Sequence, residues 1–244
     1  MDFRFDIIVE YAPYFWQGLL VTIGVSLAGI VFGLILGLFI GLGKMSSNPI
    51  IRLPFSWYIN FFRGTPLVVQ ILLVHFGAMP LFFAQPNAVA SLAVSLSLNS
   101  AAYVAEIFRA GIQSIDKGQM EAARSLGMTH AQAMRYIILP QALKRMIPPF
   151  ANEFIVLIKD SSLGMVIAAP EIMYSERPSF RVFYKDSSLG MVIAAPEIMY
   201  WGKAAAGEYY RVWEPYLTVA FIYLLLTLSL SKLSHYLERK YSTQ

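Results

Sequence analysis

The chain has 244 residues and a formal net charge of +4, with 57% hydrophobic and only 14% charged residues. So few charges exclude an intrinsically disordered chain and leave too little polar material to cover a soluble globule of this length. The absence of cysteine excludes a disulfide framework, a thiolate zinc site and a cysteine nucleophile. The basic residues flank apolar runs instead of forming a face, so no nucleic-acid partner is expected and membrane lipid is.

Tyr11 to Gly43 is 33 residues without Asp, Glu, Lys or Arg, and a bilayer span needs about 20. It follows Asp2, Asp6 and Glu10 and not a basic segment, so it reads as a span and not as a cleaved signal peptide. Gly29, Gly33, Gly37 and Gly41 fall on one face of this helix, a pattern for close helix packing with no ligand role. Gly41-Leu42-Gly43-Lys44 lacks the spacing of a nucleotide-binding loop. Gly64 to Ala105 is 42 uncharged residues, too long for one span. It breaks between Met79-Pro80 and Gln85-Pro86-Asn87, which predicts spans two and three with a short turn.

The longest polar stretch between spans is Gln113 to Arg145. Asp116 is a candidate N-cap, Met120 to Leu126 a short helix and Gly127 its stop. Thr129 with Gln132 has capping-box spacing, which predicts a second helix from His130 to about Ile138 that Pro140 ends or kinks. Two short helices joined at a glycine suit insertion into a groove on another protein; the plainer alternative is an amphipathic connector. Span four is expected between Pro149 and about Tyr174, despite Glu153, Lys159 and Asp160, and span five from Pro215 to Ser231.

These assignments give an all-α integral membrane protein of about five spans, one domain over 1–244 with its core at about 14–238. Lys44, Arg52 and Arg63, then Arg109, Lys117, Arg124, Arg135, Lys144 and Arg145, then Lys232, Arg239 and Lys240 all fall on one side of five spans. The excess of Lys and Arg places that side in the cytoplasm, with the N-terminus outside and the C-terminus inside. Trp201, Tyr209, Tyr210 and Trp213 suit an outer aromatic belt.

Lys159 to Tyr174 reads KDSSLGMVIAAPEIMY, and Lys185 to Tyr200 reads the same, letter for letter. An old structural repeat would have drifted. A recent tandem duplication, an artefact of the written sequence and a selected insertion are all open. Charges at Glu176, Arg177, Arg181, Lys185 and Asp186 oppose a sixth span, so 175–208 is expected as an external loop, with room for a short interfacial helix.

Glu121-Ala122-Ala123, three residues, Gly127, nine residues and Ile137-x-Leu139-Pro140 resemble the EAA signature of permease subunits of bacterial ABC importers. Phe62-Arg63-Gly64-Thr65-Pro66-Leu67 and Asn99 to Ile107 running on to Gln113 resemble the polar amino-acid uptake branch, as do Asn152-Glu153-Phe154 and Lys159 to Leu163. The resemblance covers nearly the whole chain and departs at the 26 extra residues of the repeat. It implies the type I importer transmembrane fold and a multi-pass subunit of the bacterial cytoplasmic membrane. Its implied partners are two ATP-binding subunits, a second copy or related permease, an external solute-binding protein and a polar amino acid. No cofactor is implied in this chain, since ATP and magnesium belong to the partner ATPase. The segment 113–145 is then the coupling segment, with Glu121, Ala122, Ala123, Arg124, Gly127, Leu139 and Pro140 at the ATPase contact and Glu121 and Arg124 available for charge pairing.

Polar residues inside spans are candidates for the substrate path. Glu153 suits the ammonium of an amino acid or a cationic side chain; its structural alternative is a pair with Arg145. Asn99 and Ser100 are placed in the same cavity. Gln70 is a weaker candidate, with His75, because inter-helix hydrogen bonding also accounts for both. An intramembrane enzyme is disfavoured: His occurs only at 75, 130 and 235, and no nucleophile or metalloprotease motif is present. A self-sufficient channel or secondary transporter would not need the cytoplasmic knob. A permease that the duplication prevents from assembling is the remaining alternative.

Overall fold

The computed structural model describes residues 3–166 and 195–242, and these form helices and turns with no strand. Helix α1, Phe5–Lys44, takes up the first charge-free run and extends it at both ends. Its 40 residues amount to about 60 Å, well beyond the roughly 30 Å hydrocarbon core. Helix α2, Pro49–Gly64, follows; the Asn48 side chain caps it by accepting from the Ile50 N–H at 2.9 Å. Thr65 is extended, as a residue before proline must be, and the chain turns by 111° into α3, Leu67–Leu72. Helix α3 widens into a π-turn over Leu73–Ala78 and tightens to a 3-10 turn at Met79–Leu81. Helix α4, Ala88–Gln113, starts at the cap Asn87, where the turn between spans two and three was expected.

Next come the short helices α5, Lys117–Ser125, and α6, His130–Ala133. A π-turn over Met134–Ile138 leads directly into α7, Leu139–Asp160, which ends in a 3-10 turn, Ser161–Val166. Here the structure corrects the sequence reading. Pro140 does not end a helix; it sits in the first turn of α7, where its missing N–H costs little, just after the widened turn. Span four therefore begins ten residues before Pro149, and Pro148 and Pro149 lie inside it. The stretch expected as a loop over 175–208 is helical in its last part: α8, Ile198–Tyr209, precedes α9, Trp213–Ser242. Residues 167–194, and with them most of the two repeat copies, lie outside the described residues.

Three helices, α1, α4 and residues 213–234 of α9, are long and apolar enough to cross a membrane, and the bent α2–α3 pair makes up to four. Helix α7 is too polar to qualify on composition. It packs instead against α1, α4 and α9, and buries Ala142, Met146, Glu153, Ile155, Leu157 and Ile158. A helix enclosed by others can carry polar groups that a lipid-facing one cannot.

The main core joins Val25 and Ile30 of α1, Ile71 of α3, Leu92, Leu96 and Val104 of α4, and Leu157 of α7. A second cluster joins Ile7, Tyr11 and Phe15 of α1 to Ile198 and Ala205 of α8 and Val219 of α9. Trp201 stacks on Tyr14, with ring centroids 4.6 Å apart, whereas Tyr210 and Trp213 are exposed. Helices α1 and α4 run parallel, because Gly29, Gly33, Gly37 and Gly41 meet Leu96, Ser100, Val104 and Ala105 in ascending order. Helix α9 starts beside the N-terminus of α1, where the Arg4 N–H donates to Glu214 Oε1 at 3.2 Å, so it shares their direction. Helix α7 runs against them, with Met146 at Gly111 and Leu157 at Gly29.

The glycine seam gives a direct test. A Cβ on Gly37 would lie 2.5 Å from Val104 Cγ1 and 2.8 Å from the Ala101 carbonyl oxygen, whereas one on Gly24 would meet nothing within 4 Å. Gly37→Leu should lower stability by roughly 1–3 kcal/mol or more through overpacking. Gly24→Ala should leave it unchanged or raise it slightly. Melting of the detergent-purified chain distinguishes the two.

Candidate functional site

The polar segment after α4 folds as a compact knob. Asp116 caps α5 by accepting from the Gly118 N–H at 2.7 Å. Gly127 ends it with φ +84°, a left-handed conformation that favours glycine. Thr129 and Gln132 complete a reciprocal capping box, at 3.3 Å and 2.8 Å, and so start α6. Ala123 and Ala133 turn inward, while Ile115, Ile138, Ala142 and Met146 form the cluster that fixes the knob to the bundle.

The coupling candidates divide by exposure. Glu121, Ala122, Arg124, Gly127 and Pro140 are exposed, Leu139 is half-buried, and Ala123 is buried beneath the surface the others make. Leu126, 84% exposed, adds an apolar point that the sequence reading did not single out. Arg124 does not pair with Glu121: its Nη1 donates to the Met128 carbonyl at 2.9 Å, bracing the turn at Gly127. Glu121 has no salt-bridge partner among the described residues.

At the same end of the bundle, one carboxylate gathers three cations. Glu106 of α4 accepts from Lys44 of α1 and from Arg109 Nε at 2.9 Å, and Arg63 Nη1 of α2 stands 3.8 Å away. Arg63 also lies over the Tyr103 ring, 5.4 Å from its centroid. This hub ties three elements together and leaves a local excess of positive charge. Its legible signal was the i,i+3 spacing of Glu106 and Arg109; Lys44 and Arg63 come from distant segments.

Beside the hub a cavity of about 600 Å³ opens between α4 and α7, and its wall includes Arg63, Tyr103, Glu106, Arg145, Asn152 and Glu153. Glu153 is 7% exposed and has no ion pair among the described residues. The expected structural partner is engaged elsewhere, since Arg145 donates to the Ser114 carbonyl and, at 3.3 Å, to its hydroxyl.

The other three pathway candidates do not line this cavity. Asn99 and Ser100 are buried in α4; Ser100 lies against Gly33 of α1, and its hydroxyl also stands beside the Glu153 carboxyl. Gln70, 2% exposed, holds the bend between α2 and α3: its Nε2 lies 2.8 Å from the Phe62 carbonyl and 3.1 Å from that of Thr65. His75 bonds Ser91 at 2.8 Å, linking the second span to α4.

The family model of the binding-protein-dependent transport system inner membrane component matches residues 29–243. The chain is 36% identical over 244 residues to the arginine transport system permease protein ArtQ of Bacillus subtilis (strain 168), covering 98% of each. It is 42% identical over 171 residues to the probable amino-acid ABC transporter permease protein YckA of the same organism, covering 70% of this chain and 75% of YckA. A crystal structure of an amino acid ABC transporter with histidines superposes with a TM-score of 0.81 at 41% identity, over 98% of this chain and 100% of the other. The MetNI methionine ABC transporter, at 18% identity and a TM-score of 0.73, shares the fold. The matched span takes in the hub, the knob and both walls of the cavity, and the chain belongs to the family of binding-protein-dependent transport system inner membrane components, the multi-pass permease subunits of ABC importers.

Proposed function

We propose that this chain forms half of the translocation path of an ATP-driven importer of a polar amino acid, working by alternating access. The observation that carries the reading is the knob of residues 116–138, exposed at one end of the bundle and continuous with α7. A second permease, identical or related, completes the path. Two ATP-binding subunits, which hold ATP and magnesium, dock on the knobs, and an external solute-binding protein delivers the substrate. The knob end, rich in Lys and Arg, faces the cytoplasm, and the N-terminus of α1 faces outside. Glu121, Ala122, Arg124, Gly127, Leu126, Leu139 and Pro140 supply the ATPase contact, and Ala123 shapes it from beneath.

ATP favours one state only by the difference in its affinity for the two. Closing of the ATPase pair shifts the knobs, and α7 moves with them. Glu153 meets the substrate ammonium in the cavity; Asn99, Ser100 and Gln70 act by holding the walls.

Affinity purification of the tagged permease from membranes should bring an ATP-binding subunit with it. Gly127→Asp and Glu121→Lys should reduce that recovery at least about tenfold, with the permease still monodisperse, because each places a bulky or reversed charge at a small contact. Recovery equal to the parent chain would remove the knob from the contact. Uptake that proceeds without any ATPase would instead favour a channel or secondary transporter.

Vesicle uptake with a panel of labelled amino acids identifies the substrate and tests Glu153. A charge-assisted hydrogen bond in a desolvated cavity is worth about 1.5–3 kcal/mol. Glu153→Gln should therefore raise the half-saturating concentration by about 10-fold or more, with ATPase recovery unchanged. An unchanged value would assign Glu153 to structure.

A further inference from the structure

The described residues take in the start of the first repeat and the end of the second. Lys159 to Val166 belong to the first copy and Ala195 to Tyr200 to the second. In the sixteen-letter repeat these are the first eight and the last six letters. The two pieces meet: a Cβ on Gly164 would lie 3.3 Å from Ala195 Cβ and 2.5 Å from Leu92 Cδ2. In a single copy these two letters stand five residues apart, a separation that suits this contact; along the written chain they stand 31 apart.

Each piece is held by neighbours that only its own copy has. The first follows Ile155, Leu157 and Ile158, all buried in α7, and its buried Ser161 donates to the Ile158 carbonyl at 2.8 Å. The second copy follows Phe180-Arg181-Val182-Phe183-Tyr184, which would put a guanidinium where Ile155 is buried. The second piece leads into Trp201, against Tyr14, and Gly202, where a Cβ would come 2.4 Å from Val219 Cγ2. The first copy leads into Ser175-Glu176-Arg177-Pro178, which has neither residue and brings a proline into the helix.

Glu197 fixes this corner. It is fully buried, accepts from the Met199 and Tyr200 N–H groups at 2.8 and 2.7 Å, and accepts from the Tyr223 hydroxyl of α9 at 2.7 Å. Its backbone faces Gly18 of α1, where a Cβ would stand 2.8 Å from the Glu197 carbonyl carbon.

We infer that this corner of the bundle is built from the start of the first repeat and the end of the second, so that a chain carrying a single repeat would make the same contacts. Identical residues then differ in importance by position alone. Glu197 and Gly164 are the ones that make the contacts of this corner.

Deleting residues 169–194 restores one uninterrupted KDSSLGMVIAAPEIMY between α7 and Trp201. The full chain, this deletion, and the full-chain variants Glu197→Ala, Glu171→Ala, Gly164→Leu and Gly190→Leu are compared in detergent by monodispersity and melting midpoint. The deletion should melt within about 2 °C of the full chain or above it. Glu197→Ala and Gly164→Leu should lower the midpoint by about 5 °C or more, or abolish the monodisperse species. Glu171→Ala and Gly190→Leu should stay within about 2 °C. Equal effects within either pair would overturn the inference, as would a deletion that aggregates while the full chain does not. Neither readout involves transport, so the result stands apart from the proposed function.

Discussion

The close approach of α1 to α4 is the constraint on which the other contacts depend. Lipid tails are as apolar as leucine, so two spans gain little by hiding from the bilayer; they associate by packing. Glycine on α1 and fully buried Ala101, Ala102 and Ala105 on α4 let the backbones come together. The parallel register then fixes what the ends meet. Lys44 reaches Glu106 only because Gly41 lies against Ala105. Ile59 of α2 packs on the same surface, with Ile40, Ala101 and Ala102, which places Arg63 beside the hub. Leu157 of α7 fits at Gly29, so α7 lies against the seam.

Polar groups within this bundle sort by whether the protein itself satisfies them. Gln70 holds a bend, His75 bonds Ser91, Glu197 caps a helix and receives a hydroxyl, and Glu106 gathers three cations. Each has an internal structural account. Glu153 differs: it is buried, faces a cavity and has the Ser100 hydroxyl beside it, but no cation among the described residues. A buried carboxylate is costly unless something compensates it, which makes this position, and not the satisfied ones, the candidate for a cationic group brought from outside.

The sequence was most legible where local chemistry decides the structure. Asp116, Gly127, Thr129 and Gln132 act within four residues of themselves, and their caps and stop appear where the spacing placed them. Charge-free runs located α1, α4 and α9 for the same reason. The errors arose where a local rule met its exception. Pro140 reads as a helix end, but a preceding π-turn absorbs it, and no residue pattern announces that turn. Helix α2 was missed, although Asn48-Pro49 is a cap followed by a first-turn proline. The hub was invisible as a unit, because Lys44, Arg63 and Glu106 meet only after the seam has formed. Arg145 was a reasonable partner for Glu153 on one helix, yet it is committed to Ser114, on the segment joining α4 to α5.

The absence of a break between knob and α7 bears on how such a subunit can transmit force. A flexible linker at Pro140 would let the knob move without the bundle. Instead the Met134–Ile138 turn enters α7 without interruption, and Ile138, Ala142 and Met146 pack in one cluster with Ile115 and Phe108. From Pro140 to Glu153 is 13 helical residues, about 20 Å of rise, with Pro148 and Pro149 inside it. One element therefore holds the root of the knob, the unpaired carboxylate on the cavity wall, and, at Leu157, a contact with the glycine seam. Displacement of the knob enters α7 directly, and Pro148 and Pro149 are the points where that helix can bend before it reaches the wall on which Glu153 stands. The knob and the wall that carries Glu153 are thus joined by covalent and helical continuity, without a chain of intermediate side chains.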